Sequence, residues 1–353
     1  MRKAITALIS ASLVLSGLAG SPATSAEPPH VLVYHGTFGF RHPVIEHSND
    51  VLQQLADETG AFTVEFTINP ADINAAKLAE SDILLFNSST GKSPFTEDQK
   101  TDMFQWLSCG GGFMGIHASA DGNYGNANYA ELLGAQFDSH PHNEGDPKVR
   151  FVLEHKKHPT NKTFRKKFGK KGSFKFSDEL YRWRATPRRI PGVKVMYSLD
   201  EKTESEEIQK GLTPYEHRQP MAWAKTFRGR NRVYFTNLGH GNASWDWPVY
   251  QKSLVDAIKW VGKKRPDAKC LESEADIPPS PLKPPGATEP ALAPCTIPAQ
   301  PERPGPNWQN SGEAKRLTEE GDSMQMPSPG LPGGLGWSEQ TYVLDLSKSG
   351  AAS

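Results

Sequence analysis

Gly110-Gly111-Gly112-Phe113-Met114-Gly115-Ile116-His117-Ala118 reads as a Gly-rich turn, a short apolar strand and a histidine at the strand's end. Ligands of open α/β sheets bind outside the carboxyl ends of the strands. Many α/β enzymes place a Cys or Ser nucleophile on the turn after such a strand; this chain places an imidazole there. Upstream, His30–Tyr34 (HVLVY) is an apolar strand, and Pro43–Glu58 sets Ile45, Val51, Leu52 and Leu55 at helical spacing. Phe62–Ile68 alternates like a strand, and Ile83–Phe86 is a continuous apolar run suited to a strand buried on both faces. Thr96-Glu97-Asp98-Gln99 is a capping box that starts a helix running to about Leu107. This β-α-β-α-β-α-β order predicts an α/β fold with a doubly wound, mostly parallel sheet. The second half is strand-rich: Val149–Leu153, Val193–Tyr197, Met221–Phe227 and Arg232–Thr236 read as strands before a closing amphipathic helix, Val249–Val261.

The ends differ from this middle. Arg2 and Lys3 precede an apolar run, Ala4–Leu18, too short to span a bilayer stably, and Thr24-Ser25-Ala26 offers small residues for cleavage. Residues 1–26 are therefore expected to be a signal peptide, and the mature chain secreted or extracytoplasmic, with no membrane span. Residues 263–353 hold 15 of the 29 prolines and are expected to be an extended or disordered tail, with Thr341–Leu346 as an edge strand and a partner enzyme as the tail's contact. Of three cysteines, Cys270 and Cys295 bracket a Pro-rich loop and are the expected disulfide, Cys109 a buried thiol, with other pairings open. Lys+Arg and Asp+Glu both number 40, so charge makes no case for a nucleic-acid partner.

An ordered set of segments then carries a resemblance. They are Val31-Leu32-Val33-Tyr34-His35-Gly36-Thr37, Arg41-His42, Gly110–Ala118, Gly134-Ala135-Gln136-Phe137 and His140-Pro141. Ser177-Asp178-Glu179-Leu180-Tyr181, Pro220-Met221-Ala222-Trp223 and Arg232–His240 follow. Over residues 27–262 the chain resembles the ThuA-like (trehalose utilisation) family, whose fold is similar to class I glutamine amidotransferases. The resemblance implies a flavodoxin-like, amidotransferase-like domain and a role in carbohydrate utilisation. Amidotransferases carry a Gly-Ile-Cys-type elbow; here it is Gly115-Ile116-His117, with Cys109 before the strand. A thioester mechanism needs a thiolate at the elbow, so glutaminase activity is not expected.

His117, His240 and Glu179 are the candidate catalytic residues. His240 ends a strand between two glycines, and Glu179 stands in the resembling segment beside Asp178. Adjacent carboxylates seldom share one buried site, so one of the two should face the crevice and the other pair elsewhere. His35, Arg41, Asp121, Tyr124, His140, Tyr181 and Trp223 are candidate binding residues, whereas Trp245 and Trp247 are expected to pack the last helix. The sequence favours an enzyme acting on a sugar or 3-keto glycoside by acid/base chemistry, without a redox cofactor. The alternatives are a non-catalytic carbohydrate-binding module and a metal-dependent hydrolase. No metal site is expected; the alternative is a divalent cation on His140 and His142, joined by His117 or His240.

Overall fold

The computed structural model describes residues 27–205, 218–229 and 231–272, with the backbone of 315–317 and 323–325. The expected signal segment, Cys295 and the Thr341–Leu346 strand lie outside the described residues. In chain order the first half runs β1 (His30–Tyr34), α1 (Ile45–Thr59), β2 (Thr63–Thr67), α2 (Ala75–Ala79), β3 (Ile83–Asn87), β4 (Gly91–Lys92), α3 (Glu97–Ser108), β5 (Gly112–Ile116), β6 (Gly122–Tyr124), α4 (Ala127–Leu133) and β7 (Phe137–His142). The second half runs β8 (Val149–Leu153), α5 (Lys162–Phe168), β9 (Ser173–Phe176), β10 (Leu180–Trp183), β11 (Lys194–Asp200), β12 (Pro220–Lys225), β13 (Val233–Thr236), α6 (Asn242–Trp245), α7 (Pro248–Val261) and α8 (Ala268–Glu272).

The central sheet has the order β2-β1-β3-β5-β13-β12-β11-β8-β9. The strands from β2 to β13 are parallel, and those from β13 to β9 pair antiparallel. Alternation of side chains explains the continuous apolar runs. Ile83 and Leu85 enter one core with Val51, Leu52, Leu254 and Ile258, while Leu84 and Phe86 enter the opposite core with Phe104, Trp106 and Tyr129. Thr96 caps α3 through the expected reciprocal bonds with Gln99. No helix among the described residues is long and apolar enough to cross a membrane.

Two expectations are corrected here. The disulfide joins Cys109 to Cys270, with Cα atoms 5.5 Å apart, so Cys109 is not a free thiol. The reason is topological. Cys109 caps α3 just before β5, at the amino edge of the parallel strands, and α7 returns the chain to that same edge before α8 delivers Cys270. Asp267 N donates to Cys109 O beside the bridge. Opening the bridge by Cys270→Ser is expected to cost about 2–5 kcal/mol, read as a lower thermal midpoint in the variant than in oxidised wild type; equal midpoints would confine the bridge to a local staple. Trp223 is the second correction. It is fully buried, donates Nε1–H to Leu133 O, and stacks on Phe235 at 4.4 Å, so it is a core residue and not a binding group. Trp245 and Trp247 pack: Trp245 is fully buried, and Trp247 lies 4.7 Å from the Phe176 ring.

Candidate functional site

His117 sits on the first residue after β5, in a left-handed backbone conformation with φ 47°. Such a φ is uncommon outside glycine, though histidine tolerates it better than most residues. A sharp strand-to-helix turn is the device that presents a nucleophile in α/β hydrolases, and here it presents an imidazole. Gly115 makes the turn fit: a Cβ there would lie 2.6 Å from Ser119 Oγ and 2.7 Å from Leu133 Cδ1. His117 is fully buried, and its Nδ1–H donates to the carbonyl of Asn237 at 2.8 Å. A carbonyl only accepts, so this bond fixes the tautomer and points Nε2 into the crevice.

Three other side chains converge on that nitrogen. His240, carried by the turn after β13, brings Nδ1 to 3.2 Å. Glu179, at the entrance to β10, brings Oε2 to 3.2 Å from His117 Nε2 and 3.2 Å from His240 Nδ1. Tyr181 Oη stands 3.2 Å from His117 Nε2. His42, from the long turn after β1, closes the group, its ring centre 5.0 Å from that of His117 and 5.2 Å from that of His240. His42 is 4 % exposed, and its Nδ1 has no hydrogen-bond partner among the described residues. One donor atom from each of His42, His117, Glu179 and His240 lies within 4.8 Å of the others.

Asp178 and Glu179 divide their work. Glu179 faces the imidazoles. Asp178, 1 % exposed, accepts from Gly239 N at 2.8 Å, Ser244 Oγ at 2.6 Å and Glu179 N at 3.0 Å, and so pins the loop that carries His240. Arg182 does not meet Glu179; its Nη2 donates to both carboxylate oxygens of the buried Glu204.

Electrostatics separate the members. Burial works to raise the Glu179 pKa, but hydrogen bonds and charge from His117 and His240 outweigh it and hold the carboxyl far below its usual range. Burial works to lower His240, and the bond and charge of Glu179 outweigh it in turn, raising that imidazole. For His42, burial together with the charges of His117 and His240 drives the pKa down to about 2, so its ring is neutral. Burial raises the Asp121 carboxyl, against a 2.5 Å hydrogen bond from Tyr124 Oη.

The remaining candidates are distributed unevenly. His140, half exposed, places Nδ1 3.2 Å from Glu179 Oε1 and so roofs the cluster. The Arg184 guanidinium lies 5.0 Å from the Tyr124 ring centre, beside the Asp121–Tyr124 pair. His35 touches the Phe66 ring edge-on, and Arg41 donates to His35 O and pairs with Glu46, so Arg41 serves its own loop. His142 is not a metal ligand: its ring nitrogens face the carbonyls of Asp178 at 2.8 Å and Pro147 at 3.1 Å. The His140/His142 pairing is therefore corrected, since only His140 reaches the cluster. His42, present in the resembling segment Arg41-His42 but not among the candidate site residues, is the member that the sequence reading misses. The signal was its place in the turn after β1, where the strand order reverses between β1 and β3.

A sheet with five parallel strands in the order 2-1-3-5-13, and a histidine on the elbow after β5, define an amidotransferase-like α/β domain whose elbow carries an imidazole in place of a thiol. The ThuA family profile, described as trehalose utilisation, matches residues 30–261, and the chain belongs to that family. Among solved structures, a ThuA-like protein from Bacteroides uniformis superposes with a TM-score of 0.55 at 23% identity, covering 72% of this chain and 100% of that one. A ThuA-like protein from Parabacteroides merdae gives 0.52 at 18% identity, over 68% and 92% of the two chains. A glutamine amidotransferase from Thermotoga maritima gives 0.35 at 10% identity, over 70% and 100%. No curated protein matches the chain.

Proposed function

We propose that this chain is an exported enzyme acting on a sugar or on an oxidised, 3-keto glycoside. The observation that carries the reading is the convergence of His117 Nε2, His240 Nδ1 and Glu179 Oε2, each 3.2 Å from the other two, at the carboxyl edge of the parallel strands. A ketone at C3 acidifies the proton on C2. A base that takes this proton lets its electron pair form the C1–C2 double bond while the glycosidic C1–O bond breaks. The departing oxygen needs a proton, which an acid on the other side supplies. His117, His240 and Glu179 are the groups that share these roles, with Asp121, Tyr124 and His140 around the sugar. The elimination is redox-neutral. Export is supported by the basic and apolar start of the sequence and by the Cys109–Cys270 bridge, since such bridges persist in oxidising compartments.

The test is NMR or mass spectrometry of the purified, untagged protein incubated with 3-keto-trehalose and, separately, with trehalose. Loss of the keto compound alone is the expected result. Loss of both would replace keto-assisted cleavage by ordinary hydrolysis. Unchanged compounds that nonetheless bind by calorimetry would replace the enzyme by a binding module.

A further inference from the structure

We propose that His42, His117, His240 and Glu179 form a binding site for one divalent first-row transition metal ion of the zinc class. The inference deepens the proposed function, because it takes this cluster as the reacting centre.

The geometry carries it. His117 Nε2, His240 Nδ1 and Glu179 Oε2 form a triangle whose three sides are all 3.2 Å. A tetrahedral zinc ion with bonds of about 2.0–2.1 Å separates its ligand atoms by about 3.3–3.4 Å, so the triangle has the size of one tetrahedral face. His42 supplies the next donor, within 4.8 Å of the other ligand atoms.

Protons alone satisfy this arrangement poorly. In its neutral form His117 spends its Nδ1–H on Asn237 O, so Nε2 presents a lone pair. A proton from Tyr181 Oη on Nε2 and one on His240 Nδ1 directed at Glu179 satisfy two contacts. They leave His117 Nε2 and Glu179 Oε2 with lone pairs opposed at 3.2 Å. A cation seated just off the plane of this face satisfies all three atoms at once. His42 is an independent observation: an imidazole 96% out of solvent (4 % exposed), packed against both other rings, with a buried nitrogen that meets no partner among the described residues. A buried nitrogen without a partner is costly, and a cation coordinated by that nitrogen would supply one.

The surroundings have the form that metal sites use. The Nδ1–H of His117 on a backbone carbonyl is the outer contact that orients a ligating imidazole. Asp178 fixes the loop of His240 through Gly239 N and Ser244 Oγ. Three imidazoles and one carboxylate suit Zn²⁺, Co²⁺ or Mn²⁺ better than Ca²⁺ or Mg²⁺, which prefer all-oxygen shells. A cation held by His42, His117, His240 and Glu179 would supply Lewis-acid polarisation of the sugar carbonyl; those residues would then serve as its ligands in place of the direct acid/base roles given above, and His140 and Asp121 would be the neighbouring groups left to move protons.

The test uses the untagged full chain, stripped with chelator, then titrated with Zn²⁺, Co²⁺ and Mn²⁺ by calorimetry and followed by thermal melting. The expected result is one equivalent bound per chain, a raised melting midpoint and a visible absorption band with Co²⁺. Glu179→Gln and His42→Ala should each weaken binding by about 100-fold or more, beyond the 10–100-fold seen for outer contacts, and His47→Ala should leave it unchanged. Absence of stoichiometric binding with unchanged melting for all three ions overturns the proposal, as does full affinity in the Glu179→Gln, His42→Ala double variant. Because these readouts need no substrate, a metal-binding protein inert toward glycosides would sink the enzyme reading alone.

Discussion

On the proposed function, His117→Ala is expected to lower kcat/KM for a 3-keto glycoside by about 10²–10⁴-fold or more, the range lost with a positioned acid or base. The side chain is fully buried at the end of β5 and is the hub of the cluster, with His240, Glu179 and Tyr181 each 3.2 Å from its Nε2. Its removal also orphans the Asn237 carbonyl, which accepts from Nδ1. A second effect comes from the backbone. At φ 47° a histidine is tolerated, and alanine less so, whereas asparagine visits this region readily. His117→Ala should therefore lose about 1–3 kcal/mol of stability through the void and the strained φ together. His117→Asn should recover part of that stability and none of the turnover. The measurement is paired: steady-state turnover and thermal melting of wild type, Ala and Asn variants. A folded Ala variant that still turns over substrate removes His117 from the chemistry.

The sequence made the sheet legible because the strands carry their burial in their composition. Ile83–Phe86 reads as a strand buried on both faces since its alternate residues serve two cores. Thr96 and Gln99 mark the start of α3 because the capping box is a local interaction. His117 was legible for the same local reason: it follows an apolar strand directly. The rest depends on contacts between distant segments. His117 and His240 are 123 residues apart, and nothing in either segment states that they touch. Glu179 reaches them because β10 pairs with β7, a strand of sequence FDSHPH whose polar, Pro-containing pattern does not advertise pairing. His42 stands in a turn without periodicity. Cys109 and Cys270 meet only because α3 and α7 end at the same edge of the sheet, which is a fact of topology and not of spacing.

Asp178→Ala is expected to destabilise the domain by about 3–5 kcal/mol, roughly 6–20 °C in melting midpoint for a domain of this size. Asp178 lies at 1 % exposure and is the common acceptor for three donors from two segments. Its Oδ2 takes the Gly239 amide and the Ser244 hydroxyl, and its Oδ1 takes the Glu179 amide. Alanine leaves these donors without their acceptor, and each buried donor so stranded costs about 1–3 kcal/mol, not fully additively. The loop from Gly239 to Ser244 loses its tie to β10, and with it goes the distance between His240 and Glu179, 3.2 Å in the intact site. Gly239 holds φ 126° with Ile116 Cγ2 2.9 Å from the place a Cβ would occupy, so the loop lies close against the end of β5. Asp178→Asn keeps one acceptor oxygen and turns an amide N–H₂ toward a donor, so it should fall between wild type and alanine in melting midpoint. Measured at a temperature where all three proteins are folded, turnover should decline in the same order, because His240 is displaced before the fold is lost. A variant Asp178→Ala that melts with wild type would mean that the loop is held by Trp245 Nε1 on Gly239 O and Tyr250 Oη on Leu238 O, at 3.0 and 2.7 Å, without help from the carboxylate.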